Sequence, residues 1–173
     1  MDFTLTEEQL MIREAARDFA QNELKPGVID RDTHQTYPTE FVKQMGELGL
    51  LGITAPEEFG GSGQNEFTQA LVSEVISKWN PAVGLSHGAH DNLCLNNLLR
   101  NGSDEQIKKY VPGLCSGDLV GALGLTEPGA GSDALGSMAT TARRDGDDYV
   151  INGRKWWTSG IGDPRCKILI VMG

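Results

Sequence analysis

With 173 residues, 39% of them hydrophobic, the chain is long enough to bury a core as one domain or two small ones. Its formal net charge of -9 comes from acidic residues scattered without any block of like sign, which excludes a basic footprint for nucleic acid. No apolar run reaches the length of a bilayer span, and the opening MDFTLTEEQLMIREAARDF lacks the basic start and apolar stretch of a signal peptide.

Helical signals with explicit stops fill the first two thirds. Thr6 and Gln9 have the spacing of a capping box, Leu10, Phe19, Ala20 and Leu24 follow at roughly helical spacing, and Pro26 ends the run. A second helix is expected from near Pro38, with Phe41, Met45 and Leu48 inward and Gly49 and Gly52 interrupting it. PEEFGGSG, from Pro56 to Gly63, reads as a loop in which Phe59 is a structural anchor. Asn65 then caps a third helix with an apolar stripe of Phe67, Leu71, Val75 and Trp79, stopped by Asn80 and Pro81.

A fourth helix runs through GLSHGAHDNLCLNNLLRNG to a stop at Gly102. It carries His87 and His90 three residues apart, but with no third ligand nearby the expectation is a polar helix face and no metal site. Ser103 and Gln106 form a second capping-box pattern, opening a short fifth helix that fades before Pro112. Five helices in little more than a hundred residues indicate a bundle.

After Gly117 the pattern changes. LVGALGL, MATTARR, DYVI and KILIVM are strand-like, and Asp145-Gly146 and Asn152-Gly153 are turn signals, so a β-meander is expected. A few strands with an open edge do not close a barrel, which suggests a fragment of a longer protein. The fold class is therefore α+β: an amino-terminal all-α bundle over residues 1–117, then the first strands of a β-barrel-like domain over residues 118–173. The three cysteines, Cys94, Cys115 and Cys166, are odd in number and far apart, which fits free thiols in a reducing, cytoplasmic setting.

Two stretches could carry chemistry. In GLTEPGAGSD, Gly124 to Asp133, Gly129 and Gly131 would let backbone N–H groups approach a planar or anionic ligand, with Thr126 and Ser132 adding hydroxyls. Taken alone it reads equally well as a Pro-Gly turn. In RKWWTSG, Arg154 to Gly160, strand alternation would place Trp157 and Ser159 on one face and Trp156 and Thr158 on the other. A flat ring with a hydroxyl two residues on suits the wall of an aromatic cofactor site; a tryptophan in a sheet core is the simpler alternative.

These stretches do not stand alone. LTEPGAGSD, the hairpin pattern D-G-D-x-Y-x-I-N-G-x-K-x-W, the preceding LGLLGITAPEEFGGSG and the amino-terminal LTEEQ...IR..AR.FA helix together resemble the acyl-CoA dehydrogenase family over essentially the whole chain. The resemblance implies a flavoprotein that uses FAD to oxidise an acyl-CoA thioester to its α,β-unsaturated product. Within it, Leu123, Leu125, Thr126, Gly131, Ser132, Trp157, Thr158 and Ser159 would contact the flavin, and Ser132 the CoA substrate as well. Ala89 and Leu93 would border the acyl pocket. No catalytic residue is assigned, because the family's glutamate base comes from a later helical domain; Glu127 is not at that position.

The resemblance further implies an electron-transfer flavoprotein as acceptor, a homo-oligomer at full length, and a mitochondrial matrix location if a transit peptide is missing here. The pattern W-W-T-S-G departs from the commoner W-I-T-N-G and leaves chain length and branching of the substrate open. Two other readings remain: an acyl-CoA oxidase or monooxygenase on the same scaffold, and a non-catalytic module that binds an acyl-CoA or a partner helix.

Overall fold

Thr6 caps the first helix through the reciprocal pair its spacing predicts. Its hydroxyl accepts the Gln9 N–H at 3.2 Å, and the Gln9 side chain accepts the Thr6 N–H at 3.1 Å. In the computed structural model, which describes residues 4–173, helix α1 covers Glu7–Phe19 and continues through a π-helical turn, Ala20–Leu24. Ala16, Phe19, Ala20 and Leu24 face the core. Leu10 does not: the inward position of the first turn is Gln9, whose amide reaches the Thr68 hydroxyl at 3.4 Å.

A short helix that local patterning does not reveal, α2 (Val28–Thr33), follows Gly27, which takes a left-handed φ of +69°. Helix α3 spans Glu40–Glu47. Phe41 and Met45 point inward as expected, and the Phe41 ring meets Phe19 edge-on at 6.1 Å. Val42, not Leu48, completes this face, and Leu48 is 51% exposed.

Helix α4 covers Glu66–Trp79, with the Asn65 side chain accepting the Thr68 N–H at 2.9 Å. Its buried face is Thr68, Gln69, Val72 and Ile76, one position on from the expected stripe, and Phe67 is 47% exposed. One position is a rotation of about 100°. The Thr68 hydroxyl donates to Asn65 Oδ1 at 3.1 Å and accepts from Gln9 of α1, so a polar residue occupies a core position with its bonds made.

The fourth predicted helix is a continuous path in three parts: α5 (Pro81–Gly88), a π-helical segment (Ala89–Leu95) and α6 (Asn96–Asn101), ending at Gly102. Helix α7 spans Asp104–Cys115 behind the predicted Ser103 and Gln106 capping box. It does not fade before Pro112. The burial of Val111, Leu114 and Cys115 outweighs the single backbone bond that the proline cannot make.

His87 and His90 are buried, in contrast to the expected polar face. His87 Nε2 lies 2.7 Å from the Leu50 carbonyl and His90 Nε2 3.0 Å from that of Leu114. His90 Nδ1 accepts the Gly121 N–H at 3.2 Å, so a neutral ring with its proton on Nε2 satisfies both bonds. Between them, the Asp91 carboxylate accepts the Gly52 N–H at 3.0 Å. Backbone amides hidden from water draw these polar groups inside.

The β-strands do not form a meander. Strand β1 (Val120–Gly124) pairs in parallel with β4 (Cys166–Val171), with Leu123 opposite Ile170. Strands β2 (Thr141–Asp145) and β3 (Asp148–Asn152) form a separate antiparallel hairpin, and a one-turn helix, α8 (Ala134–Ser137), precedes it. The hairpin turn centres on Gly146 and Asp147, one residue later than Asp145-Gly146, because Asp145 is still paired with Asp148. Asn152-Gly153 ends β3 without starting a second hairpin. Beside β1, a Cβ on Gly121 would lie 2.5 Å from Cys94 Sγ, so glycine lets the strand press against the π-helical segment.

Candidate functional site

A cleft lies between the π-helical segment and β1. The π-helical segment and the end of α5 supply Leu85, Gly88, Ala89, Asn92 and Leu93 on one side, and Leu123 of β1 with Trp157 and Ser159 supplies the other. The cavity measures about 410 Å³. Its lining is mostly apolar with a few polar groups, the ordinary make-up of a small-molecule site. Neither Trp156 nor Thr158 contributes to it.

The separation of the two tryptophans therefore agrees with expectation, but its cause does not. Residues 153–158 form no strand, so alternation cannot place the rings. Trp157 instead has a φ of +55°, in the left-handed region. For a bulky non-glycine residue such a conformation costs on the order of 1–3 kcal/mol and persists only where the surroundings enforce it. The residue is 82% exposed, and its ring meets that of Trp156 at 5.7 Å with an interplanar angle of 65°.

The loop from Leu125 to Ser132 joins this arrangement from below. The Thr126 carbonyl accepts the Trp156 N–H at 2.8 Å, and the Leu125 carbonyl accepts from Lys155 Nζ at 3.0 Å. Both residues are half-buried beside the cleft and outside its lining. Gly131 and Ser132 are exposed farther along the loop, and a Cβ built on Gly129 or Gly131 would meet nothing within 4 Å. The open backbone there suits close approach of a ligand. Thr158 is half-buried, its carbonyl accepting the Ile161 N–H at 3.3 Å.

The pairing of Glu127 with Lys155 has no signature in the sequence. Glu127 is buried, and its carboxylate accepts from the Ala139 N–H at 2.6 Å, the Thr140 N–H at 3.0 Å and Lys155 Nζ at 2.7 Å. The Lys155 ammonium, with the hydrogen bonds from Thr140 and Ala139, holds the Glu127 carboxyl down at about 2. It is an ionised anchor and not a proton carrier. Lys155 adjoins the tryptophans in RKWWTSG, but only tertiary structure brings Glu127 to it.

Burial disfavours the thiolate form of all three cysteines. Burial pushes the Cys94 thiol up to about 11 and that of Cys115 up to about 12.

Residues 6–118 match the model of the acyl-CoA dehydrogenase N-terminal domain, and residues 122–173 match that of the acyl-CoA dehydrogenase middle domain. The chain belongs to the acyl-CoA dehydrogenase family. Mitochondrial isovaleryl-CoA dehydrogenase from Pongo abelii is 48% identical over 170 residues, which is 96% of this chain and 39% of that protein. The structure of butyryl-CoA dehydrogenase from Megasphaera elsdenii has a TM-score of 0.88 at 35% identity, covering 99% of this chain and 45% of its own. A glutaryl-CoA dehydrogenase from Mycobacterium smegmatis, solved in complex with FADH2, has a TM-score of 0.84 at 34% identity, over 89% of this chain and 39% of its own.

The chain thus spans roughly two fifths of the length of these relatives. Its fold is that of the family's helical domain followed by the first strands of its middle β-domain.

Proposed function

We propose that this acyl-CoA dehydrogenase chain takes part in flavin-dependent α,β-dehydrogenation of an acyl-CoA thioester, with FAD held against the cleft. The supporting observation is the convergence of Leu123, Trp157 and Ser159 on one side with Ala89 and Leu93 on the other. Trp157 and Leu123 would pack on a flat ring, the Ser159 hydroxyl would donate to its polar edge, and the open glycines of residues 129–131 would let Thr126, Gly131 and Ser132 follow its rim. Leu125 and Thr158 would support that rim. When bound, FAD supplies a two-electron sink for the oxidation of the thioester. Ala89 and Leu93 would border the acyl chain, and the apolar lining would exclude water from it.

No carboxylate lines the cleft among the described residues, so the reading places the base that removes the α-proton outside the residues named here. It takes residues 1–117 as the helical domain and 118–173 as the start of the flavin-binding domain. It includes an electron-transfer flavoprotein as acceptor, a homo-oligomeric full-length enzyme and a reducing compartment, consistent with three free cysteines. Among the described residues no helix is long and apolar enough to cross a membrane.

The full chain, loaded with FAD, tests the reading. Trp157→Ala is expected to weaken flavin retention by about tenfold, while Trp156→Ala is expected to lower stability more than retention. Equal flavin content in the two variants would count against the cleft as the flavin site. Anaerobic bleaching of the flavin by an acyl-CoA, with slow peroxide formation once air is admitted, would separate a dehydrogenase from an oxidase.

A further inference from the structure

Trp157 is 82% exposed, so packing of its own side chain gives its strained backbone little support. What enforces it must act through the residues on either side. Upstream, two consecutive residues are tied to the loop after β1: Trp156 by its N–H to the Thr126 carbonyl at 2.8 Å, and Lys155 by its ammonium to the Leu125 carbonyl at 3.0 Å and to Glu127 at 2.7 Å. Downstream, Thr158 closes a turn with Ile161 at 3.3 Å, and Gly160 takes a φ of +87°. Trp157 is the residue between these two fixed segments, and its φ absorbs the change of direction.

Glu127 makes the upstream tie rigid. Its side chain is 4% exposed and that of Lys155 13%, so the pair is shielded from solvent. The same carboxylate also fastens the backbone at Ala139 and Thr140, where the chain enters β2, and the Glu127 N–H bonds the Ala130 carbonyl at 2.8 Å across the glycine loop. One buried ion pair therefore joins the end of β1, the glycine loop, the start of β2 and the tryptophan segment. A shielded pair of this kind adds little net stability over an apolar replacement, but it specifies one arrangement of the groups around it.

We infer that Lys155 and Glu127 are positioning residues, a clamp that holds Trp157 in its left-handed conformation and so sets its ring at the mouth of the cleft. The geometry of the clamp stands by itself; its use in cofactor binding rests on the flavin reading above. Neither residue touches the cleft, so the clamp acts only through the backbone.

The two indoles supply a readout that needs no cofactor. Rings 5.7 Å apart and inclined at 65° are close enough to couple their absorption, and a paired band is expected in far-ultraviolet circular dichroism. The full chain is prepared as wild type, Lys155→Met, Lys155→Arg and Glu127→Gln, with Trp156→Phe to identify the band by its loss. Each is measured without flavin and then titrated with FAD, and its thermal midpoint is recorded.

Lys155→Met and Glu127→Gln are expected to lose most of the band and to bind FAD about tenfold more weakly. Lys155→Arg, which retains charge and donors, is expected to restore much of both. A purely stabilising pair would lower the midpoint in all three and leave the band intact, and that result would overturn the clamp. Loss of the band with unchanged FAD affinity would support the clamp and remove Trp157 from the flavin site. If Lys155→Met fails to fold, the band in Glu127→Gln decides the same question.

Discussion

The helical and β regions of this chain are built on opposite terms. The largest fully buried side chains, among them Leu24, Met45, Leu51, Ile53, Ile76 and Leu114, all precede residue 116. Every residue of the hairpin β2–β3 is exposed, including Tyr149 and Ile151. The helices satisfy their backbones internally and the longer ones bury one face each, so they form a core among themselves. A two-stranded hairpin has no face of its own to hide and is marginal unless something packs on it. The cleft lies where the two regions meet, between the π-helical segment and β1, and it takes its walls from both.

Three substitutions probe this contrast. Ile53→Ala, at a position with 0% exposure, is expected to cost about 2–5 kcal/mol in urea denaturation, since it opens a cavity in the helical core. A loss below about 1 kcal/mol would mean that the core relaxes around the deletion and is less tightly built than the burial indicates.

His90 is the next test, because it ties the helical region to β1. Burial pushes the His90 imidazole below its ordinary range, so the folded chain holds it neutral where the unfolded chain would take up a proton. Stability tied to this residue is thus complete above about pH 6.5 and is lost as the pH falls, by at most about 1.4 kcal/mol per pH unit. Urea midpoints of wild type should drop between about pH 7.5 and about pH 5, and His90→Gln should flatten that part of the profile. An unchanged slope would show that the ring does not carry the seam between the regions.

The smallest effect is expected for Ile151→Thr in the hairpin. Its side chain is 54% exposed, and the change should stay within about 0.5 kcal/mol for the 173-residue chain. A larger loss would mean that the hairpin packs against a surface beyond those described, and the contrast between the regions would narrow.

The same contrast governs what could be read in advance. Capping boxes at Thr6 and Ser103 and the stop at Gly102 are local devices, and the helices begin and end there. The inward face of α4 was not legible, because the Thr68 hydroxyl accepts from Gln9, 59 positions away, besides bonding its local partner Asn65. Pro112 suggested a stop, yet the packing of Val111 and Leu114 continues the helix through it. The histidine pair looked like a polar surface because nothing local announces that Leu50, Leu114 and Gly121 supply their partners.

At the site, the glycine loop and the tryptophan pair were recognisable by composition. Their geometry was not. The distinct placements of Trp156 and Trp157 were expected from strand alternation, whereas they arise from one residue at a left-handed φ. Leu123 and Ser159 reach the same cleft because β1 pairs with β4 across some 40 intervening residues, a pairing that local turn signals cannot specify.

By itself the amino-acid order determined the longer helices with their caps at Thr6, Asn65 and Ser103, the change to strands after Gly117 and the motifs that mark the family. These depend on hydrogen bonds and steric preferences within a few residues. Tertiary structure alone decided which helix faces are buried, which strands pair, that two histidines and an aspartate are internal, and that Lys155 meets Glu127. Those outcomes rest on desolvation of groups far apart in the chain, whose cost can be judged only once the partner that relieves it is in place.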